Sequence, residues 1–124
     1  MEQEPKIKIL IVDDEVELAE ILEERLNFRG FYAKSVVDHI QAIREAEKTK
    51  YDVALIDVKL KGMNGIELMK LLLEMNPELK VILFTGHGSE GEGKRGLESG
   101  AVRYLFKPID LEKLIAEIND ILKS

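Results

Sequence analysis

The chain has 124 residues, 45% of them hydrophobic, with 18 Lys and Arg against 24 Asp and Glu, a formal net charge of -6 and no cysteine. That length suits a single domain over 1–124 with an ordered core about 6–123, and the acidic balance disfavours direct nucleic-acid binding by the domain itself. Disulfides and thiolate metal sites are excluded, and no apolar run nears the roughly 20 residues of a membrane span, so a cytoplasmic domain with no membrane attachment is the expectation.

The first strand is expected over 7–12, "IKILIV", and it runs straight into Asp13, Asp14 and Glu15. Adjacent acids repel one another and resist burial, so a positive group belongs beside them. The helix that follows sets Leu18, Ile21, Leu22 and Leu26 at helical spacing on one inward face, with Gly30 where a left-handed cap would stand. A strand over 31–36, "FYAKSV", leads to a helix capped by Asp38, with Ile40, Ile43 and Ala46 inward. The third strand, 53–56 "VALI", ends at Asp57, and the apolar helix over about 65–75 stops before Pro77. The fourth strand, 81–84 "VILF", ends at Thr85. The fifth, 102–106 "VRYLF", ends at Lys107 and Pro108, and the last helix, from Asp110, aligns Leu111, Leu114, Ile115, Ile118 and Leu122.

Between the fourth and fifth strands, "TGHGSEGEGKRGLESG" holds six of the nine glycines. Gly91, Gly93 and Gly96 fall inside the expected helix and remove roughly 3 kcal/mol of helical preference relative to alanine. The fourth helix is therefore expected to be short or mobile, its glycines tolerated in a loose segment rather than placed for regulation.

Five alternations of strand and helix predict an α/β fold, with right-handed crossovers making the strands parallel. All five strands then end on one edge of the sheet, where ligands of open α/β sheets bind. That edge gathers Asp13, Asp14, Asp57, Thr85 and Lys107. Three carboxylates suit a hard divalent cation such as Mg2+, which prefers oxygen ligands and phosphate company. Asp57, alone on its strand, is the best nucleophile for an acyl phosphate, with Lys107 neutralising phosphoryl oxygens and Thr85 donating to one of them.

"VDDE", "LIDVKLKGMNGIEL", "LFTGHG" and "GAVRYLFKPID", each following a strand, together resemble the receiver domain of two-component response regulators over nearly the whole chain. The resemblance implies a flavodoxin-like (βα)5 three-layer sandwich with strand order 2-1-3-4-5. It also implies that Asp57 accepts a phosphoryl group from a histidine kinase or histidine phosphotransfer protein. Asp14 would then hold Mg2+ directly, Asp13 through water, and Asp57 and the backbone carbonyl of Lys59 would complete the ligands. Thr85 and Tyr104 match the switch pair that carries the change to the surface of the fourth helix, fifth strand and fifth helix, the family's output and homodimer face. Lys107 matches the phosphate-pairing lysine, with a cis bond to Pro108. Many members carry proline where this chain has Lys61, so a less stiff loop is expected after Asp57, with Gly62 and Gly65 keeping its turn chemistry. Lys59 and His87, each two residues past a site residue, are candidates for tuning phosphoryl loss, whereas His39 reads as a helix-surface residue.

Three other readings compete. An aspartate-nucleophile phosphatase wants a second acid where this chain has Lys59, and a cap domain to hold substrate. A flavin binder wants a Ser/Thr/Gly-rich loop where this chain has "DDEVE". A binding module that signals without phosphorylation differs in its Mg2+ affinity and in its response to a small phosphodonor.

Overall fold

The computed structural model describes residues 5–86 and 90–123. In chain order they form β1 (Lys8–Val12), α1 (Val16–Phe28), β2 (Tyr32–Val36), α2 (His39–Lys48), β3 (Val53–Asp57), α3 (Gly65–Met75), β4 (Lys80–Thr85), α4 (Glu90–Glu98), β5 (Arg103–Phe106) and α5 (Leu111–Lys123). The strands make one parallel sheet of order β2-β1-β3-β4-β5, a flavodoxin-like fold. Among the described residues, no helix is long and apolar enough to cross a membrane.

The near-continuous apolar runs of β1, β3 and β4 are explained by cover on both faces. Leu10, Val12, Ala54, Ile56, Val81 and Leu83 face one core with α2 and α3. Their neighbours Ile9, Ile11, Val53, Leu55, Ile82 and Phe84 face the other, with α1 and α5. All five residues of β3 are buried, which makes it the central spine on which Asp57 is the last residue.

Local chemistry closes the helices. Gly30 takes φ 95 after α1, and the Phe31 N–H returns to the Leu26 carbonyl at 3.1 Å, a Schellman ending. Asp38 caps α2 by accepting from the Gln41 N–H at 2.8 Å, and Asn64 caps α3 through the Ile66 N–H at 2.8 Å. Asp110 accepts from the Glu112 N–H at the start of α5.

Two inward faces differ from expectation. On α1 the buried line is Ala19 and Leu26 with Leu22 half-buried, while Leu18 and Ile21 are 41% and 49% exposed. On α2 Ala42 is buried between Ile43 and Ala46, and Ile40 is 52% exposed. In both helices a small alanine lies on the buried line, and the bulkier Leu18, Ile21 and Ile40 fall off it. Ile121 joins Leu114 and Ile118 as a buried residue of α5, while Leu111, Ile115 and Leu122 pack at its margin.

Among the described residues the fourth helix spans nine, Glu90–Glu98, and its glycines have a packing reason. A Cβ at Gly93 would lie 2.6 Å from the Tyr104 ring, and one at Gly96 would lie 2.5 Å from Leu83 Cδ1. The expectation of glycines merely tolerated in a loose segment is corrected at these two positions: they let α4 sit close against β4 and β5.

Candidate functional site

Parallel pairing fixes the site before any side chain is considered. Asp57 stands opposite Phe84 and Thr85 opposite Phe106, while Val12, the last residue of β1, is level with Ile56. Asp13, Asp57, Thr85 and Lys107 therefore leave the sheet at one level, with the Lys107 N–H donating to the Thr85 carbonyl at 2.9 Å. Asp13, Asp57 and Thr85 are the buried polar residues of the described chain.

One carboxylate oxygen from each of Asp13, Asp14 and Asp57 lies within 4.8 Å of the others, Asp14 being the more exposed member. Lys107 reaches into this group with its side chain 11% exposed, its Nζ 2.9 Å from Asp57 Oδ2, 3.1 Å from Asp13 Oδ2 and 2.7 Å from Glu15 Oε1. It also lies 5.2 Å from the centroid of the Phe84 ring, whose face favours a cation. Burial works against the Lys107 charge, but hydrogen bonds to Glu15, Asp57 and Asp13 outweigh it and its pKa is raised. Burial likewise pushes the Asp13 carboxyl up, against the lowering effect of the Glu15 N–H and of Lys107, with the Asp57 charge adding to the rise. One ammonium leaves three clustered acids short of positive charge, and an all-oxygen donor set of this kind fits a hard divalent cation.

The loop after β3 is tied down by backbone donors. The Lys59 N–H donates to Asp57 Oδ1 at 2.9 Å, and the Lys61 N–H donates to Asp14 Oδ2 at 3.1 Å. Proline at position 61 would lack that second donor, so Lys61 connects the loop to the acid pair where a stiffer residue would not. Gly62 has φ 85, a turn conformation that suits glycine. Gly65 is required for a different reason, because a Cβ there would fall 2.2 Å from the Asp57 carbonyl oxygen.

Tyr104 is half-buried, its ring over Gly93 and edge-on to Phe106 at 5.2 Å between centroids. The Lys107–Pro108 bond is cis. The Lys59 side chain reaches the carboxylate of Glu92 on α4, Nζ to Oε2 2.8 Å, a partner 33 positions away that no local spacing signals. Glu15 was legible as the third acid of the run but not as a direct partner of Lys107. His87 lies outside the described residues. His39, expected on the surface, is half-buried beside Gly62, with a buried Nδ1 that has no hydrogen-bond partner among the described residues.

Residues 9–119 match the family model described as "Response regulator receiver domain". Over 117 residues the chain is 33% identical to Sporulation initiation phosphotransferase F of Bacillus subtilis, covering 94% of this chain and 91% of that protein. It is 31% identical to Transcriptional regulatory protein ZraR of Klebsiella oxytoca over 94% of its own length, but spans only 26% of that relative. Its fold superposes with a TM-score of 0.91 on a CheY-like response regulator receiver domain protein from Methanospirillum hungatei JF-1, at 28% identity over 96% of this chain and 95% of that one.

Proposed function

Because the chain belongs to the response regulator receiver domain family of two-component systems, we propose that Asp57 accepts a phosphoryl group from a phosphohistidine on a histidine kinase or phosphotransfer protein. The observation that carries this reading is the buried Asp57 carboxylate, 2.9 Å from Lys107 Nζ and clustered with Asp13 and Asp14. In the transfer an Asp57 oxygen attacks phosphorus, the bond from phosphorus to the donor imidazole nitrogen breaks, and the imidazole leaves with that electron pair. Lys107 neutralises charge on the phosphoryl oxygens, and the buried Thr85 hydroxyl donates to one of them. Asp13, Asp14 and Asp57, with the Lys59 carbonyl, are the group that would hold Mg2+. That ion, when bound, screens the phosphoryl oxygens and relieves repulsion among the carboxylates.

The domain catalyses only its own phosphorylation and dephosphorylation; its product is a signal. The donor approaches beside α1, where the exposed Leu18 and Ile21 line a groove of about 450 Å3 with Phe84, Lys107 and Pro108. After transfer, Thr85 moves toward the phosphoryl group and the Tyr104 ring turns inward, biasing the surface of α4, β5 and α5 toward a conformation that a second copy or an effector reads. Support comes from the half-buried ring poised over Gly93 and from the exposed Leu97 and Phe106 on the same surface.

The test is intact-mass spectrometry after incubation with acetyl phosphate and Mg2+. A gain of one phosphoryl group, absent in Asp57→Asn and after EDTA, is the expected result. No gain with Mg2+ demonstrably bound would remove acceptance from a small phosphodonor, and no gain without Mg2+ binding would favour a phosphorylation-independent module.

A further inference from the structure

Lys59 sits two residues past the nucleophile on a four-carbon stem able to swing over the site, yet its ammonium pairs with Glu92 of α4 rather than with Asp57. The pair is asymmetric in exposure, 52% for the lysine side chain and 20% for the glutamate, so α4 supplies the better-held partner. The next residue, Gly93, seats the Tyr104 ring, and burial, followed by the Glu92 charge, pushes the Tyr104 phenol up. Two consecutive residues of α4 thus meet both the loop behind Asp57 and the aromatic ring of β5.

We propose that Glu92 is a positioning residue for phosphoryl chemistry at Asp57, acting by holding the Lys59 ammonium off the phosphoryl site. The inference rests on Asp57 as phosphoacceptor and deepens that reading by naming what sets the lifetime of the phosphoryl group. Hydrolysis proceeds by attack of a water oxygen on phosphorus and cleavage of the bond from phosphorus to the Asp57 oxygen, the carboxylate keeping that electron pair and inorganic phosphate departing with the protons of the water. An ammonium placed on the phosphoryl oxygens stands in the path of that water. With Lys59 tethered to Glu92 the path is open. A phosphoryl group carries close to two negative charges against one on Glu92, so it competes for the same ammonium, and each exchange of partner loosens the tie between α4 and the loop.

The experiment follows the phosphoryl half-life of the full chain by intact mass, after labelling with acetyl phosphate and Mg2+ and removal of the donor. Glu92→Gln is expected to lengthen the half-life about threefold, the scale of one partly exposed ion pair. Glu92→Asp, which keeps the charge, is expected to restore most of the wild-type rate, and Glu92→Gln is expected to have no effect in a Lys59→Ala background. An unchanged or shorter half-life in Glu92→Gln, or an equal effect with Lys59 removed, would overturn the inference, the latter assigning the effect to α4 alone. A wild type that takes up no phosphoryl group would overturn the reading of Asp57 and the inference with it, so the two failures are distinguishable. In the unlabelled, metal-free protein, Lys59→Ala is expected to quicken amide exchange across residues 90–98; unchanged exchange there would overturn the coupling to α4.

Discussion

Lys107 is the residue on which the charge balance of the site turns. Its ammonium is within 3.1 Å of three carboxylates, two of them on buried residues, and removing one member of a buried ion pair leaves its partners uncompensated. Lys107→Ala is therefore expected to destabilise the metal-free protein by about 2 kcal/mol or more in urea unfolding, with much of the loss recovered in Mg2+. Equal losses with and without Mg2+ would separate the lysine from the acid cluster. Gly65 makes a different demand. Its missing Cβ leaves room for the backbone of Asp57 and Val58, and all three clashing atoms, the Asp57 carbonyl carbon and oxygen and the Val58 Cα, would belong to main chain that packing holds in place. Gly65→Ala is expected to cost about 1–3 kcal/mol and to slow phosphoryl acceptance at Asp57, read by denaturant unfolding and by mass. Neither Lys107's three partners nor the Gly65 contact is encoded in local spacing. Lys107 was legible because it ends a strand, whereas its bond to Glu15 depends on the path taken by the β5–α5 loop.

Helix ends were legible element by element because capping is local: Gly30, Asp38 and Asp110 each act within about one turn of where they stand. Helix faces were less so. Periodicity defines a stripe but not its centre, and the buried line runs through Ala19 and Ala42, leaving Leu18, Ile21 and Ile40 outside it. The glycines of α4 are legible as a local loss of helical preference, while the partners of Gly93 and Gly96 come from β5 and β4 and so required the packed fold. With nine residues and two glycines against the sheet, α4 is expected to exchange its amides faster than α5, and equal protection would contradict this. Between α2 and β3, Tyr51 donates to Glu45 at 2.8 Å, and its phenol is pushed above the ordinary range by burial and by that carboxylate. The folded state holds this proton where the unfolded chain releases it near pH 10, so stability falls as pH rises beyond that point. Tyr51→Phe is expected to make the alkaline slope shallower by up to about 1.4 kcal/mol per pH unit, measured by denaturant unfolding between pH 9.5 and 11.

Across the whole molecule, the site is a consequence of parallel topology. Residues 44 positions apart in sequence, Asp13 and Asp57, meet because β1 and β3 are neighbours running the same way, and the positions of the strand ends in the sequence suffice to predict it. The Lys59–Glu92 bridge was not readable, since it depends on how α4 docks across the mouth of the site. A cluster of three acids with one lysine also makes the apo fold sensitive to cations. Mg2+ is expected to raise the Tm of the wild type by preferential binding to the folded state, EDTA to reverse the shift, and Asp13→Asn to diminish it. The central claim is that Asp57, and no other acid of the cluster, carries the phosphoryl group. The most direct measurement is borohydride reduction of the labelled chain followed by peptide mapping, since reduction converts an aspartyl phosphate to homoserine. Homoserine at position 57 in the Mg2+ sample alone is the expected result, and reduction at 13 or 14, or none in a chain shown to carry a phosphoryl group, would contradict the account.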